Sequence, residues 1–157
     1  MSEQLASLFA MPLDKEVRRH FERCWKAMWR DLDYLASRED SHLAGATANG
    51  WTLDRLRVVA VLNSFNRVVV GPLSAAYGTT TKMGLGRETA IHFGEHIEVS
   101  TRTAAIVQPA MAAFDELVAR CGVKRRWLNI SRTADLVWAM ASHDDTSGGN
   151  DGETWDD

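Results

Sequence analysis

The segment from Tyr77 to Ala90 contains residue types that could bind a charged group. It combines glycines and threonines with Lys82 and Arg87, and it leads into a helix predicted to begin near Arg87. A helix start offers unpaired backbone N–H groups and the positive end of a dipole, which together can hold a phosphate. Neither common phosphate-loop pattern is present, because Gly84-Leu85-Gly86 lacks a third glycine in register and Lys82 does not follow a glycine. A nucleotide site is therefore not predicted, and a solvated loop is the alternative.

The residues His92-Phe93-Gly94-Glu95-His96 match H-x-x-E-H, a pattern found in one class of zinc peptidase. On a helix this spacing would put His92 and His96 on one face, with Glu95 as a base. A catalytic zinc needs a third protein ligand, and Glu116, Asp135 and His143 have no supporting motif. A histidine pair on a helix surface is the favoured interpretation, since so short a pattern recurs by chance. We predict no metal, no cofactor and no catalytic residue.

Basic residues recur along the first long predicted helix at spacings of 4, 4, 3 and 4: Lys15, Arg19, Arg23, Lys26 and Arg30. We call these five residues the basic stripe. Such a row of cations can follow a phosphate backbone, releasing counterions at each contact. The alternative is a solvated face whose cations pair at helical spacing with acids, namely Glu16, Glu22 and Asp33.

A second basic cluster, Lys124-Arg125-Arg126, lies next to Trp127. A cation beside an aromatic ring suits single-stranded nucleic acid, since every base can stack on the ring. The alternative is a cationic connector between helices whose tryptophan belongs to the core.

Charge is distributed unevenly along the chain. Residues 144–157 carry six acids and no Lys or Arg, which leaves 15 of the 21 acids against all 18 Lys and Arg in residues 1–143, a net charge of +3. This asymmetry is a hint that the body faces a polyanion. The acidic segment also contains Trp155, an unusual residue for a composition typical of disorder. It is predicted to be a solubilising tail, to dock into a partner, or to cover the body's own basic surface.

Apolar periodicity indicates the helices that position these groups. After Pro12, apolar residues fall at helical spacing from Leu13 to Leu35, and the stretch "HLAGATANG" ends that pattern. Thr52 is a predicted N-cap with a hydrophobic staple between Trp51 and Leu56. The next predicted helix, Leu53 to Val70, is apolar on nearly all sides and should be buried, although "RVVVG" could be a strand.

The remaining boundaries follow from proline, glycine and serine. Gly71-Pro72 is predicted to end the buried helix. A further helix is predicted from Arg87 to about Cys121, kinked or broken at Pro109 and ended by Gly122. Ser131 is the predicted N-cap of the last helix.

These features predict an all-α protein with one helical-bundle domain over residues 1–143 and an acidic disordered tail over residues 144–157. The length of 157 residues suits one domain. Cys24 and Cys121 are predicted to be small buried thiols in a reduced environment. No signal peptide and no apolar run of membrane-spanning length is expected, so we predict a cytoplasmic protein without a membrane partner.

Several short motifs resemble the small helical subunit of CRISPR Cascade complexes, the CasB family. They are Gly50-Trp51 before an apolar helix, Thr79-Thr80, Leu85-Gly86-Arg87 opening a helix, and a late pair of tryptophans, Trp127 and Trp138. The similarity covers about half of the chain, residues 50–90 and 127–138.

The resemblance implies an all-helical, non-catalytic subunit of an RNA-guided ribonucleoprotein. Copies would pack side by side, a form of self-association, along backbone protein subunits. They would stabilise the guide RNA, the target DNA and the displaced strand. By this analogy the phosphate contacts would come from Lys82 and Arg87 and from the stripe residues Arg19, Arg23, Lys26 and Arg30. A free-standing helical regulator acting through protein–protein contacts is the alternative.

Overall fold

Helices dominate the part of the chain that the structure, a computed structural model, describes. The described backbone covers residues 3–72, 89–92, 95–98 and 101–142, with side chains described for residues 5–72 and 109–142. The helices are α1 (Glu3–Ala10), α2 (Lys15–Ser37), α3 (Ser41–Ala48), α4 (Leu53–Phe65), α5 (Thr101–Cys121) and α6 (Thr133–Ala141). A π-helical turn (Asn66–Val70) continues α4, and a 3₁₀ turn (Arg125–Asn129) precedes α6. The prediction of an all-α fold is confirmed.

One short hairpin interrupts the helical pattern. Strands β1 (Thr89–His92) and β2 (Glu95–Glu98) pair antiparallel, with His92 opposite Glu95 and Ile91 opposite His96. The predicted helix from Arg87 is therefore wrong over these residues, and α5 begins only at Thr101. The β-branched and aromatic residues around Gly94 favour a hairpin as much as a helix, and periodicity over so short a run does not separate the two.

Helix α2 forms where its apolar periodicity predicts. Its buried residues Phe21, Met28 and Leu32 recur at spacings that fall on one helical face. Arg18, in its first turn, donates to the backbone carbonyls of Phe9 and Met11. These bonds satisfy acceptors at the C-terminal end of α1 and tie that helix to α2.

Helix α3 was not predicted, because "HLAGATANG" has no apolar periodicity and contains glycine. Its start is fixed by Asp40, whose carboxylate accepts from the backbone N–H of His42 at 2.8 Å and of Leu43 at 3.2 Å. Close packing against α6 also stabilises α3, since a Cβ on Gly45 would lie 3.2 Å from the Ala141 Cβ. Tertiary contact and a cap outweigh weak local propensity here.

Helix α4 is the central element, as predicted. The Thr52 side chain accepts from the Arg55 backbone N–H at 3.2 Å, which confirms the N-cap, and both Trp51 and Leu56 are buried. The segment "RVVVG" is a π-helical turn rather than a strand. Gly71 and Pro72 are themselves helical, so the predicted stop at these residues is wrong.

The predictions for α5 and α6 are partly confirmed. Helix α5 runs through Pro109 without a break and ends at Cys121. Gly122 has φ +66°, and the Val123 N–H donates to the Val118 carbonyl at 3.2 Å, a C-terminal motif that favours glycine. Ser131 is not an N-cap, because α6 begins at Thr133 and Arg132 holds the cap position without a side-chain bond.

Buried apolar residues from each of the described helices and from both turns form one core that extends from Leu5 to Met140. Two buried asparagines join α4 to the 3₁₀ turn: Asn63 donates to the Trp127 carbonyl at 2.7 Å and Asn66 to the Leu128 carbonyl at 3.1 Å. These bonds supply partners to carbonyls that a short turn leaves unpaired. Residues 143–157 lie outside the described residues, so the predicted boundary at residue 143 stays a prediction.

Among the described helices, none combines the length and the apolar character needed to cross a membrane.

The close approach of α3 to α6 yields a prediction. Gly45→Val adds a branched side chain where a Cβ already lies 3.2 Å from the Ala141 Cβ, so we expect a loss of about 1–3 kcal/mol in the free energy of unfolding. Ala44→Val, on the exposed side of the same helix, is the control and should cost roughly 0.5 kcal/mol through helix propensity. Urea denaturation measures both, and equal losses would contradict the tight α3–α6 packing.

Candidate nucleic-acid interface

The basic stripe occupies the outward face of α2. All five of its residues are exposed. At 100° per residue they fall within about 80° of one another, on the side of the helix opposite Phe21, Met28 and Leu32. The same periodicity that buries one face of α2 therefore presents the cations to solvent as a single row.

Acids neutralise this row only in part. Lys26 lies 3.9 Å from Glu22, an exposed i, i+4 pair. Among the described residues Glu16 makes no ion pair, and Lys15, Arg19 and Arg30 make no side-chain hydrogen bond or ion pair. Arg23 donates to the Nδ1 atom of His20 at 3.1 Å. Of the three acids that could have paired with the stripe, only Glu22 does so.

The third acid, Asp33, is held by another helix. Its carboxylate accepts from Arg57 of α4, and Arg57 also lies 3.6 Å from Asp54. Because this pairing directs the negative charge of Asp33 toward α4, it is not available to the stripe. Sequence reasoning missed Arg57, since its partner is 24 positions away and no local pattern links the two residues.

Two tryptophans hold α2 in the orientation that exposes the stripe. The Trp29 indole N–H donates to the Arg57 backbone carbonyl at 3.1 Å, and the Arg57 guanidinium lies 5.6 Å from the Trp29 ring centroid. The Trp25 ring packs edge-on against Trp29, with centroids 4.8 Å apart, and at a tilt of 45° against Phe9 of α1, with centroids 5.1 Å apart. These contacts fix the rotation of α2 about its own axis.

The length of the stripe suits several phosphates. From Lys15 to Arg30 the helix rises roughly 22 Å. One strand of B-form DNA advances about 3.4 Å per phosphate along its axis, so the row spans about six such steps. Long, exposed Lys and Arg side chains on one helix face can contact a backbone without reading base edges.

Of the two interpretations of the cluster beside Trp127, the structure supports the connector with a core tryptophan. Trp127 is 3% exposed and packs edge-on against Trp51 at 5.8 Å, so its ring is not available to stack on a base. Lys124 is 8% exposed, with its Nζ atom 5.8 Å from the Trp127 ring centroid. The interpretation as a connector with a core tryptophan is the correct one, and the prediction of a stacking platform is wrong.

The two arginines of that cluster are not buried. Arg125 forms an ion pair with Asp115 of α5 at 3.1 Å, which connects the 3₁₀ turn to α5. Arg126 is exposed. A phosphate contact by either arginine stays a prediction, without the aromatic platform that motivated it.

Arg55 is a positioning residue that sequence reasoning missed. Its guanidinium stacks 4.2 Å from the Trp51 ring centroid and donates to the carbonyls of Gly50 at 3.0 Å and Cys121 at 2.9 Å. A cation at the last carbonyl of α5 also interacts favourably with the helix dipole. No pattern in the sequence links residue 55 to residue 121.

The other predicted residues fall on or beside the hairpin. Lys82 and Arg87 lie outside the described residues, so their phosphate contacts stay predictions. His92 and His96 lie in different strands. The helical spacing on which the zinc interpretation depended is therefore not formed, and the side-chain-described residues contain no group of three potential metal ligands.

The two thiols are half-buried rather than buried, and burial disfavours the thiolate form of each. Burial raises the pKa of Cys24, partly offset by Arg67 and Arg23, and burial likewise raises the pKa of Cys121, partly offset by Arg55 and Arg120. The thiolate is the reactive form, so a raised pKa lowers reactivity near neutral pH.

Comparison of the chain with protein-family models, curated protein sequences and solved structures gives no match. The resemblance to the CasB family therefore rests on the short motifs alone.

The burial of Trp127 yields a test that separates a core residue from a stacking platform. Trp127→Ala should lower the free energy of unfolding by about 3–5 kcal/mol, as expected for removal of a buried aromatic ring. Trp138→Ala, at a site that is 55% exposed, is the control and should change it by less than roughly 0.5 kcal/mol. Urea denaturation gives both values. A small loss at Trp127, comparable to that at Trp138, would contradict its place in the core.

Proposed function

We propose that the basic stripe of α2 binds a nucleic-acid backbone without regard to sequence. One observation carries this proposal: five exposed cations form a single row on a rigid helix, and only one of them has a carboxylate partner among the described residues. Counterion release at each phosphate would supply the free energy of binding. A row of cations without a donor–acceptor pattern aimed at base edges gives no sequence preference.

The finer proposal is that this protein is a non-catalytic small subunit of a CRISPR-type ribonucleoprotein. The motif Gly50-Trp51 before an apolar helix supports it, as do the helical fold of the described residues and the exposed cation row of α2, whereas Leu85-Gly86-Arg87 is followed by strand β1 and not by the helix of the motif. In such an assembly, base pairing with the guide supplies specificity, so a subunit that contacts only phosphates is sufficient. It would pack against backbone protein subunits and stabilise the guide RNA, the target DNA and the displaced strand.

A free-standing regulator that acts through protein contacts is the second candidate. Trp138 on α6 is 55% exposed and Tyr34 on α2 is 58% exposed. Tryptophan and tyrosine are enriched among the residues that dominate protein–protein interfaces. The same two residues would also serve contacts between neighbouring subunits of an assembly, so they favour a protein partner under both proposals.

The stripe gives a charge-matched experiment. The variant Arg19→Gln, Arg23→Gln and Arg30→Gln should weaken binding to a labelled oligothymidine by roughly tenfold or more at about 50 mM salt. The slope of log K against log salt should fall by about 2, since each lost contact removes roughly 0.7 for a single strand. Fluorescence anisotropy across a salt series measures both quantities.

The control removes three arginines that already have partners. Arg38 stacks 5.5 Å from the Tyr34 ring centroid, Arg120 pairs with Glu116, and Arg132 pairs with Asp135. Arg38→Gln, Arg120→Gln and Arg132→Gln changes the net charge by the same amount and should leave most of the affinity intact. Equal weakening by the two variants would overturn the stripe as the binding site and indicate a response to net charge alone.

The subunit proposal has a separate test. Co-expression with the genes adjacent to its own, followed by purification through a tag on this chain, should yield a large complex that contains RNA of uniform length. Size-exclusion chromatography with light scattering and denaturing gels of the extracted RNA would detect it. Recovery of the chain alone or as a homodimer without RNA would favour the regulator.

A further inference from the structure

Two features of this chain carry opposite charge, and the proposed function gives a role to only one of them. One is the basic stripe of α2. The other is the acidic segment, residues 144–157, with six acids, no Lys or Arg, and Trp155. We propose that, without nucleic acid, the acidic segment lies on the basic stripe and competes with nucleic acid for it. The competition rests on the proposed function, whereas the contact between segment and stripe does not.

The stripe is the described surface with the greatest unmet positive charge. Three arginines elsewhere, the exposed Arg120 and Arg132 and the half-buried Arg125, lie within 4.0 Å of a carboxylate. In the stripe only Lys26 has such a partner, at 3.9 Å. A polyanion gains most where it need not displace an existing ion pair, so the acidic segment is expected to prefer α2 over those sites.

The fold places Ser142, two residues before the acidic segment, within reach of the stripe. The Thr133 hydroxyl donates to the Asp31 carboxylate at 3.2 Å, which puts the first turn of α6 beside residue 31 of α2. Helix α6 then rises roughly 13 Å to its end near Ser142. Lys26 lies roughly 8 Å further along α2 from Asp31. Measured along the two helix axes, the path from Ser142 to Lys26 is therefore roughly 20 Å long.

The length of the segment matches that path. Residues 143–157, which follow Ser142, number 15; a random coil of that length has a root-mean-square span of roughly 22 Å, and a fully extended chain reaches roughly 50 Å. Both exceed the roughly 20 Å to Lys26, while Lys15 lies roughly 16 Å beyond Lys26 along α2. Contact is therefore expected mainly at the half of the stripe that contains Lys26 and Arg30.

Composition adds to simple charge attraction. Trp155 lies between Glu153 and Asp156, so an indole ring accompanies the carboxylates. Arginine stacks on aromatic faces as well as pairing with carboxylates. The cations of the stripe can therefore contact this segment in the same two ways as they contact a nucleic-acid strand. They can pair with its negatively charged groups and stack on its rings.

Tethering makes a weak contact effective. A segment linked by a short flexible chain has an effective concentration of the order of millimolar. Exposed ion pairs contribute little individually and weaken as salt is added. We therefore expect partial occupation, with an effect on nucleic-acid affinity of roughly threefold to tenfold at low salt and none at high salt.

Carbodiimide cross-linking tests the contact without nucleic acid. The reagent joins a carboxylate to a lysine amine, and mass spectrometry identifies the peptides. At low salt and low protein concentration, acids of residues 144–157 should link within one chain to Lys26 more than to Lys15. The link should disappear in the Arg19→Gln, Arg23→Gln and Arg30→Gln variant, which retains both lysines. Links to Lys82 alone, or none to the stripe, would overturn the proposal.

Binding measurements test the competition. A variant with Asp144→Asn, Asp145→Asn, Asp151→Asn, Glu153→Gln, Asp156→Asn and Asp157→Asn keeps the length of the chain. It should bind labelled oligothymidine roughly threefold to tenfold more tightly at about 50 mM salt. In the Arg19→Gln, Arg23→Gln and Arg30→Gln background the same change should have almost no effect, which excludes a general charge effect.

The two tests fail differently. If neither the full chain nor the neutralised variant binds oligothymidine while the Lys26 cross-link forms, the proposed function fails and the contact stands. If both bind equally and no cross-link forms, the acidic segment does not cover the stripe and the proposed function stands. An equal gain in both backgrounds would also overturn occlusion.

Discussion

The packing of α2 on α4 determines which face of α2 reaches solvent. Phe21 meets Phe65 edge-on at 5.7 Å, and Trp29 donates to the Arg57 carbonyl at 3.1 Å. Each fully buried aromatic or aliphatic side chain contributes about 1.5–3 kcal/mol relative to exposure. A rotation of α2 by one residue, about 100°, would break these contacts and bury cations, so the orientation of the basic stripe follows from the core.

The same packing separates charges that the sequence places side by side. Asp33 is three residues from Arg30 and in position to pair with it, yet its carboxylate accepts from Arg57. Arg57 is only 27% exposed and its guanidinium also lies beside Asp54 and the Trp29 ring. A partly desolvated arginine with several partners holds an acid better than an exposed, mobile one does. The core contact thereby leaves Arg30 unpaired among the described residues.

Sequence alone was sufficient for elements with a strong local signal. The periodicity of α2, the threonine cap of α4 and the glycine at the end of α5 each depend on residues within one or two turns, so the pattern determines the structure. Helix α3 depends on contacts with α6, about 90 positions away, including bonds from Asn49 to the carbonyls of Met140 and Ala141. No local pattern contains that information.

The residues of the candidate site also fall into those with a local sequence signal and those that depend on distant contacts. The stripe was predictable, because exposure of a cation row follows from the burial of the opposite face. The burial of Trp127 was not predictable, since a tryptophan beside three cations is consistent both with a stacking platform and with a core residue. Its burial depends on Trp51 and on Asn63, both more than 60 positions away in sequence.

Net charge is a poor guide to the electrostatics of this chain. The formal value of -3 would predict repulsion of a polyanion. At about 0.15 M ionic strength, however, charges more than roughly 8 Å apart are largely screened, so a phosphate responds mainly to the side chains beside it. Beside the stripe those are five cations, the exposed Glu16, Glu22 and an Asp33 already held by Arg57. The electrostatic field at the stripe is therefore positive although the net charge of the chain is negative. Acids elsewhere in the chain weaken binding only if they come within roughly 8 Å of α2.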